Sequence, residues 1–214
     1  MLLIFDLDGT LIDSRLDLAN SVNATRQAMD KGPLPHELIF SYVGNGAPVL
    51  IKRAIGPEAS EDQVRDALEF FLNHYKHHAV EYTELYPGVR AALERLHGAG
   101  NQLAVLTNKP VRISHAIMDH FGLTGLMFRI YGGNSFEHKK PHRIGIDTLR
   151  AEAGAEPHDT WMIGDSYVDV QTARNAAVPC CGVTYGFQPE SFLEFPPDIL
   201  VDRLETFADR LLKL

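Results

Sequence analysis

Leu2-Leu3-Ile4-Phe5-Asp6-Leu7-Asp8-Gly9-Thr10-Leu11 runs from four apolar residues straight into two carboxylates at i and i+2, then Gly and Thr. A short apolar run of this kind reads as a fully buried strand of a parallel sheet. In an open α/β sheet, ligands gather outside the carboxyl ends of the strands. Two aspartates buried there are costly unless a cation offsets them. One reading is chemical. Asp6 is a nucleophile that forms an aspartyl phosphate, and Asp8 passes a proton to the leaving alcohol and takes one from the attacking water. Mg²⁺ is a hard ion that uses one or two carboxylates plus waters and phosphate oxygens; Asp6 and the main-chain carbonyl of Asp8 would supply such oxygens. The other reading is a strand followed by an acidic turn, with Asp8-Gly9 as ordinary turn chemistry. The later strands separate the two.

Beyond residue 84, apolar runs alternate with helical patterns. Leu103-Ala104-Val105-Leu106-Thr107, residues 128–131, Thr160-Trp161-Met162-Ile163-Gly164-Asp165, residues 180–184 and Ile199-Leu200-Val201 read as strands. Between them lie helical patterns carrying Val89, Leu93 and Leu96, then Ile113, Ile117 and Phe121, then residues 144–153, and a helix after Asp165. An amphipathic helix with Leu204, Phe207 and Leu211 closes the chain. Such alternation means βαβ units and a parallel sheet. Residues 14–82 differ: they carry helical patterns and little strand signal. Asp13 or Ser14 would cap a first helix, and Ser60 with Gln63 three residues on is a capping box. The expected architecture is α/β. A Rossmann-like, doubly wound parallel-sheet core is formed by residues 1–13 and 84–214, with an all-helical cap domain inserted at 14–83. An insert leaving the carboxyl edge of the first strand is placed to act as a lid.

Other polar groups recur at the same kind of strand end. Thr107-Asn108-Lys109-Pro110 follows the second core strand, where a hydroxyl and backbone N–H groups would hold phosphate oxygens; a helix cap ahead of Pro110 is the local alternative. His138-Lys139-Lys140-Pro141 offers Lys140 to neutralise phosphate charge and Asp6 together, or is a solvated basic turn. In Gly164-Asp165-Ser166-Tyr167-Val168-Asp169, Asp165 would be the second carboxylate on Mg²⁺. Asp169, four positions on, would orient metal-bound water or Lys140. Capping explains Asp165, Ser166 and Asp169 locally as well. Separate local explanations for every group, each beside a βα boundary of one sheet, form an improbable coincidence.

Asp6-Leu7-Asp8-Gly9-Thr10, Thr107-Asn108, Lys140-Pro141 and Gly164-Asp165-Ser166-Tyr167-Val168-Asp169 resemble, in this order, the four motifs of the haloacid dehalogenase superfamily of phosphohydrolases. The resemblance spans essentially the full length, helical cap included. Val43-Gly44-Asn45-Gly46-Ala47, Leu85-Tyr86-Pro87-Gly88-Val89, Thr107-Asn108-Lys109-Pro110, Lys140-Pro141-His142 and Gly182-Val183-Thr184-Tyr185-Gly186 are similar to its phosphoglycolate phosphatase subgroup. The resemblance implies Asp6 as nucleophile, Asp8 as general acid and base, and Thr107 and Lys140 as phosphate binders. It also implies Asp6, Asp8 (main chain) and Asp165 around Mg²⁺. Leu7 and Asn108 join the expected phosphate-binding set, and Gly44, Asn45 and Arg53 of the cap the expected substrate-binding set. Lys52 is an alternative to Arg53 for pairing with a substrate carboxylate. Arg143 stands where the subgroup often has Pro, and Tyr167-Val168 replaces a more usual Arg-Asn-like pair.

The presence of Asp8 favours phosphoryl transfer over dehalogenation, because haloacid-cleaving members lack that second aspartate. The expected reaction is hydrolysis of a small phosphorylated metabolite, 2-phosphoglycolate foremost. Phosphosugar or pyrophosphate hydrolysis, a phosphoglucomutase-like mutase and a catalytically idle binding domain are the alternatives.

The bulk composition fits. Twenty Lys and Arg against 28 Asp and Glu give a formal net charge of −8, which argues against nucleic acid and anionic membrane surfaces as partners. No apolar stretch is long enough to span a bilayer, and the first residues lack the basic and apolar regions of a secretory signal. Cys180 and Cys181 are adjacent, where a disulfide would be strained, so they are expected as small buried residues. A cytoplasmic monomer or homodimer is expected. His74, His77 and His78 are expected on an exposed face of a cap helix.

Overall fold

The computed structural model describes residues 1–213. They divide into two compact units, residues 1–13 with 85–213 and residues 14–84. The first unit begins with β1 (Leu2–Phe5), whose four side chains are all fully buried. The two-residue strand β2 (Ile12–Asp13) ends its first segment.

The intervening unit is helical: α1 (Arg15–Ala28), α2 (His36–Phe40), α3 (Ala47–Ile55) and α4 (Glu61–His78). Ser60 caps α4 by accepting from the Gln63 N–H at 3.2 Å, while Gln63 Oε1 takes the Ser60 N–H at 2.9 Å. Ser14 stands at the N-cap of α1 but makes no side-chain cap bond. α1 and α4 pack on each other through apolar faces that include Val22, Phe71 and Tyr75. The carboxylate of Asp17, in the first turn of α1, accepts the N–H groups of Tyr82 and Thr83 and the Thr83 hydroxyl. His77 is exposed, but His74 and His78 are half-buried. Their rings stack at 4.2 Å, His74 Nδ1 lies 3.1 Å from Ser21 Oγ, and His78 pairs with Glu81, so this helix face is partly packed rather than plainly solvated.

The chain returns through β3 (Glu84–Leu85) into α5 (Val89–Gly98), β4 (Gln102–Leu106), α6 (Val111–His120), β5 (Met127–Tyr131) and α7 (Ile144–Ala153). It ends with β6 (Thr160–Gly164), α8 (Tyr167–Asn175), β7 (Cys180–Val183), β8 (Ile199–Val201) and α9 (Leu204–Leu212). Six of these strands form one sheet in the order β5-β4-β1-β6-β7-β8, every pairing parallel. β1 is therefore central. Phe5 stands opposite Val105 of β4 on one side and Ile163 of β6 on the other.

From β1 the chain builds outward to β4 and β5, then returns to build β6, β7 and β8 on the other flank. That reversal makes the carboxyl end of β1 the topological switch point, where the crossovers part and leave a crevice. On one face Leu2, Ile4, Ala104, Leu106 and Met162 pack with Ile146 and Leu149 of α7 and Val170 and Ala173 of α8. On the opposite side Trp161 meets Phe207 of α9 edge-on at 5.6 Å. Cys180 and Cys181 are free thiols buried in β7, and burial pushes the Cys181 thiol up to about 12. No described helix is long and apolar enough to cross a membrane.

Candidate active site

Each strand of the central trio releases a polar residue at its carboxyl end: Asp6 after β1, Thr107 after β4 and Asp165 after β6. The Asp6 N–H still donates to Ile163 O at 2.9 Å, so the ladder continues one residue past β1 and aims the side chain at the edge. Leu7 O then accepts the N–H groups of Thr10, Leu11 and Ile12, folding the chain into a tight loop. The Tyr185 hydroxyl donates to Thr10 O at 2.9 Å and ties that loop from the β7 side.

Asp6 Oδ1 accepts the Leu7 N–H at 2.7 Å and the Lys140 ammonium at 2.9 Å. Burial pushes the Asp6 carboxyl up to about 6 against the opposing pull of Lys140, with the Asp169 charge adding to the rise. Lys140 is itself buried and also reaches Asp169 Oδ1 at 2.7 Å. Burial alone would discharge this ammonium, but Asp169 and Asp6 together hold its pKa above the ordinary lysine value. Asp169 Oδ2 accepts both the N–H and the hydroxyl of Ser166. Asp169 is thus bonded on both oxygens, serving Lys140 and the start of α8 at once.

Asp165 Oδ2 accepts the Phe187 N–H at 2.6 Å. Burial drives its carboxyl well above the usual range, and the neighbouring Asp169 and Asp6 charges push the same way. Backbone crowds against it: a Cβ on Gly9 (φ +82°) would fall 2.1 Å from Asp165 Oδ2, and one on Gly186 2.2 Å from Asp165 Cβ. Both positions therefore exclude any larger residue. Carboxylate oxygens of Asp6, Asp165 and Asp169 lie within 4.8 Å of one another, the one such cluster of three or more potential metal ligands among the described residues.

Asp8, two residues after Asp6, meets a different lysine. Lys109 Nζ lies 2.8 Å and 3.0 Å from its two oxygens. Thr107 is buried, its hydroxyl accepting the Lys109 N–H at 3.2 Å. Asn108, expected to bind phosphate, turns its amide N–H to Lys140 O at 3.1 Å and so holds the lysine loop. Leu7, expected to offer its N–H to phosphate, directs it to Asp6. In the helical unit, Gly44 (φ +113°) and Asn45 lie in the turn before α3. Arg53 is on α3 with its guanidinium 5.9 Å from the centre of the Tyr42 ring.

Ser166 is the N-cap of α8 that the sequence offered, with Asp169 completing its capping box, whereas Lys109, Tyr185 and the Phe187 N–H are participants to which the sequence reading gave no role. The signal for Lys109 was present, a lysine directly after Thr107-Asn108 at a strand end. The others act through a backbone group or reach across a long loop, and leave no spacing to read.

The charges do not balance. Asp6, Asp8, Asp165 and Asp169 face two ammonium groups, Lys109 and Lys140. The excess of carboxylate, with proton affinity raised at the buried Asp6 and Asp165, fits a divalent cation held by oxygens at this end of the sheet.

A family model described as haloacid dehalogenase-like hydrolase matches residues 3–183. The chain is 37% identical over 204 residues to a phosphoglycolate phosphatase of Agrobacterium fabrum, covering 94% of this chain and 88% of that one. It is 35% identical over 218 residues to a phosphoglycolate phosphatase of Vibrio vulnificus, covering 99% and 96%. The crystal structure of a predicted phosphoglycolate phosphatase from Haemophilus somnus matches with a TM-score of 0.91 at 33% identity, covering 99% and 96%. This chain belongs to the haloacid dehalogenase-like hydrolases.

Proposed function

We propose that this chain is a Mg²⁺-dependent phosphatase that hydrolyses a small phosphomonoester, 2-phosphoglycolate, through an aspartyl phosphate on Asp6. One observation carries the reading: two aspartates leave the central strand at its switch point, the first on Lys140 and the second on Lys109. Asp6 has one oxygen held by Leu7 and Lys140, which leaves Oδ2 to attack phosphorus. The phosphorus–ester oxygen bond breaks as the bond to Asp6 forms, and the departing alkoxide takes a proton from the Asp8 carboxyl. Water then attacks the aspartyl phosphate and gives a proton to the Asp8 carboxylate. Phosphate departs and Asp6 is restored.

Lys140 stays charged throughout and offsets the phosphoryl oxygens, with Thr107 and the backbone N–H groups of the loops as further donors. Asp6, Asp165 and the Asp8 main-chain carbonyl would hold Mg²⁺, and Asp169 keeps Lys140 in place. When bound, the ion supplies positive charge beside the transferring phosphoryl group. The substrate assignment draws on the names of the relatives and on a cap in which Arg53, or Lys52, pairs with the glycolate carboxylate near Gly44 and Asn45.

Phosphate release with Mg²⁺ tests the proposal, measured as kcat/KM on 2-phosphoglycolate, glucose phosphates, nucleotides, pyrophosphate and p-nitrophenyl phosphate. A strong preference for 2-phosphoglycolate is expected. Broad, weak release would retain the chemistry and discard the substrate, and no Mg²⁺-dependent release from any of them would overturn the phosphatase reading.

A further inference from the structure

Lys109 sits where a lysine is expensive. Its side chain is 3% exposed and that of Asp8 is 14% exposed. A buried ion pair contributes little to stability against well-packed apolar residues, so its presence calls for another reason. Its backbone is also fixed with unusual closeness. The Lys109 N–H donates to the Thr107 hydroxyl and its carbonyl accepts the Gly133 N–H at 2.9 Å. A Cβ on Gly132 would lie 2.6 Å from Lys109 O, and one on Gly133 2.4 Å from Asn108 O. The two glycines after β5 thus let that loop clamp the segment from which the lysine projects. The ammonium then meets both oxygens of Asp8 at once, 2.8 Å and 3.0 Å away, which restrains rotation of the carboxylate.

We propose that Lys109 is a positioning residue for Asp8, holding its carboxyl in the orientation from which a proton passes to the leaving oxygen. The proposal rests on Asp8 being the proton carrier. It assigns the two lysines different duties, Lys140 to Asp6 and the phosphoryl group, Lys109 to the proton transfer. Misplacing a reacting group by about 1 Å costs on the order of 100-fold. The loss in kcat/KM, which reports only the steps up to departure of the leaving group, should depend on that group: an alkoxide needs the proton as it departs, whereas p-nitrophenolate leaves without one.

The test compares K109M, K109Q and D8N with wild type on 2-phosphoglycolate and p-nitrophenyl phosphate at saturating Mg²⁺, each as kcat and KM. K109M should lose about 100-fold in kcat/KM on 2-phosphoglycolate and far less on p-nitrophenyl phosphate; water's attack on the aspartyl phosphate, where Asp8 is the base, is common to both substrates and enters kcat alone. K109Q keeps an N–H donor on a side chain one bond shorter and should recover part of that loss; it also replaces K109M if that variant does not fold. Equal losses in kcat/KM on both substrates would overturn the positioning role while D8N still discriminates between the substrates in kcat/KM. If D8N itself shows no such discrimination, the acid–base reading of Asp8 falls, and the Lys109 proposal with it.

Discussion

Asp17 in the helical unit and Asp6 in the sheet unit are both buried aspartates close to a chain crossing between the two units, yet their surroundings are opposite. Asp17 is 1% exposed and meets two backbone N–H groups and a hydroxyl, neutral donors brought by the residues that lead back to the sheet. Asp6 meets one backbone N–H and a lysine that it shares with Asp169. Asp165 has one backbone N–H and two other carboxylates close by. A carboxylate buried for architecture is surrounded by its own donors. A carboxylate buried for chemistry is left short of them, and a proton, a cation or a substrate completes its shell.

The contrast is sharpest in turnover. Asp6→Asn should reduce kcat by at least roughly 10⁴-fold, because the proposed mechanism has no other group to form the covalent intermediate. Its unfolding midpoint should hold or rise, since a buried charge has been removed; retained turnover would dismiss Asp6 as nucleophile. Asp8→Asn follows, with a loss of about 10²–10⁴-fold in kcat for alkyl phosphates. Rapid-quench trapping of phospho-enzyme will tell which half-reaction slows more, and a wild-type rate would end the proton-transfer role.

The next effect is in stability. Asp6 binds its proton more tightly in the folded chain, at about 6, than in the unfolded chain, near 3.8. Its favourable contribution is complete below the lower value and is lost as pH rises through the higher one, a swing of roughly 3 kcal/mol. Metal-free wild type should therefore lose stability relative to Asp6→Asn between about pH 4 and pH 7 in urea unfolding. Mg²⁺ should restore it. A difference that stays flat across that range, or grows in favour of wild type, would contradict the raised proton affinity.

Asp17→Asn is the smallest and the plainest. Replacing a carboxylate oxygen by an amide leaves backbone donors without an acceptor, for a loss of about 2 kcal/mol. The response of its unfolding midpoint to Mg²⁺ should match that of wild type. If Asp17→Asn instead abolished the Mg²⁺ response, the division between architectural and chemical carboxylates would be wrong.

What could be read in advance follows the range of the interactions. Leu2 to Phe5 form a buried strand because the run is apolar on both faces, a property of four consecutive residues. The βα alternation after residue 84 implied the parallel sheet in the same way, down to the short edge strand at Ile199–Val201. The capping box of Ser60 and Gln63 is likewise local. The strands of two residues, β2 and β3, were not legible, since two residues carry no period. The half-burial of His74 depends on Ser21, 53 residues away.

The candidate site divides along the same line. That Asp6, Thr107 and Asp165 directly follow strands is written in the order of residues, because a buried strand must finish before a polar or charged group; Asp8 follows in the loop after Asp6, and Lys140 stands in the loop between β5 and α7. Lys140 was expected on Asp6 and beside Asp169, and it meets both; the other long-range partners were not legible. Asp8 and Lys109 are 101 residues apart, Asn108 and the Lys140 carbonyl 32, and Phe187 and Asp165 22. Sequence by itself supplied the inventory of chemistry and the layer it belongs to, through local periodicity and charge. The pairing of Asp8 with Lys109, a lysine other than the one on Asp6, came from strand order and register, which bring distant loops to one edge and leave each ammonium the partner within its reach.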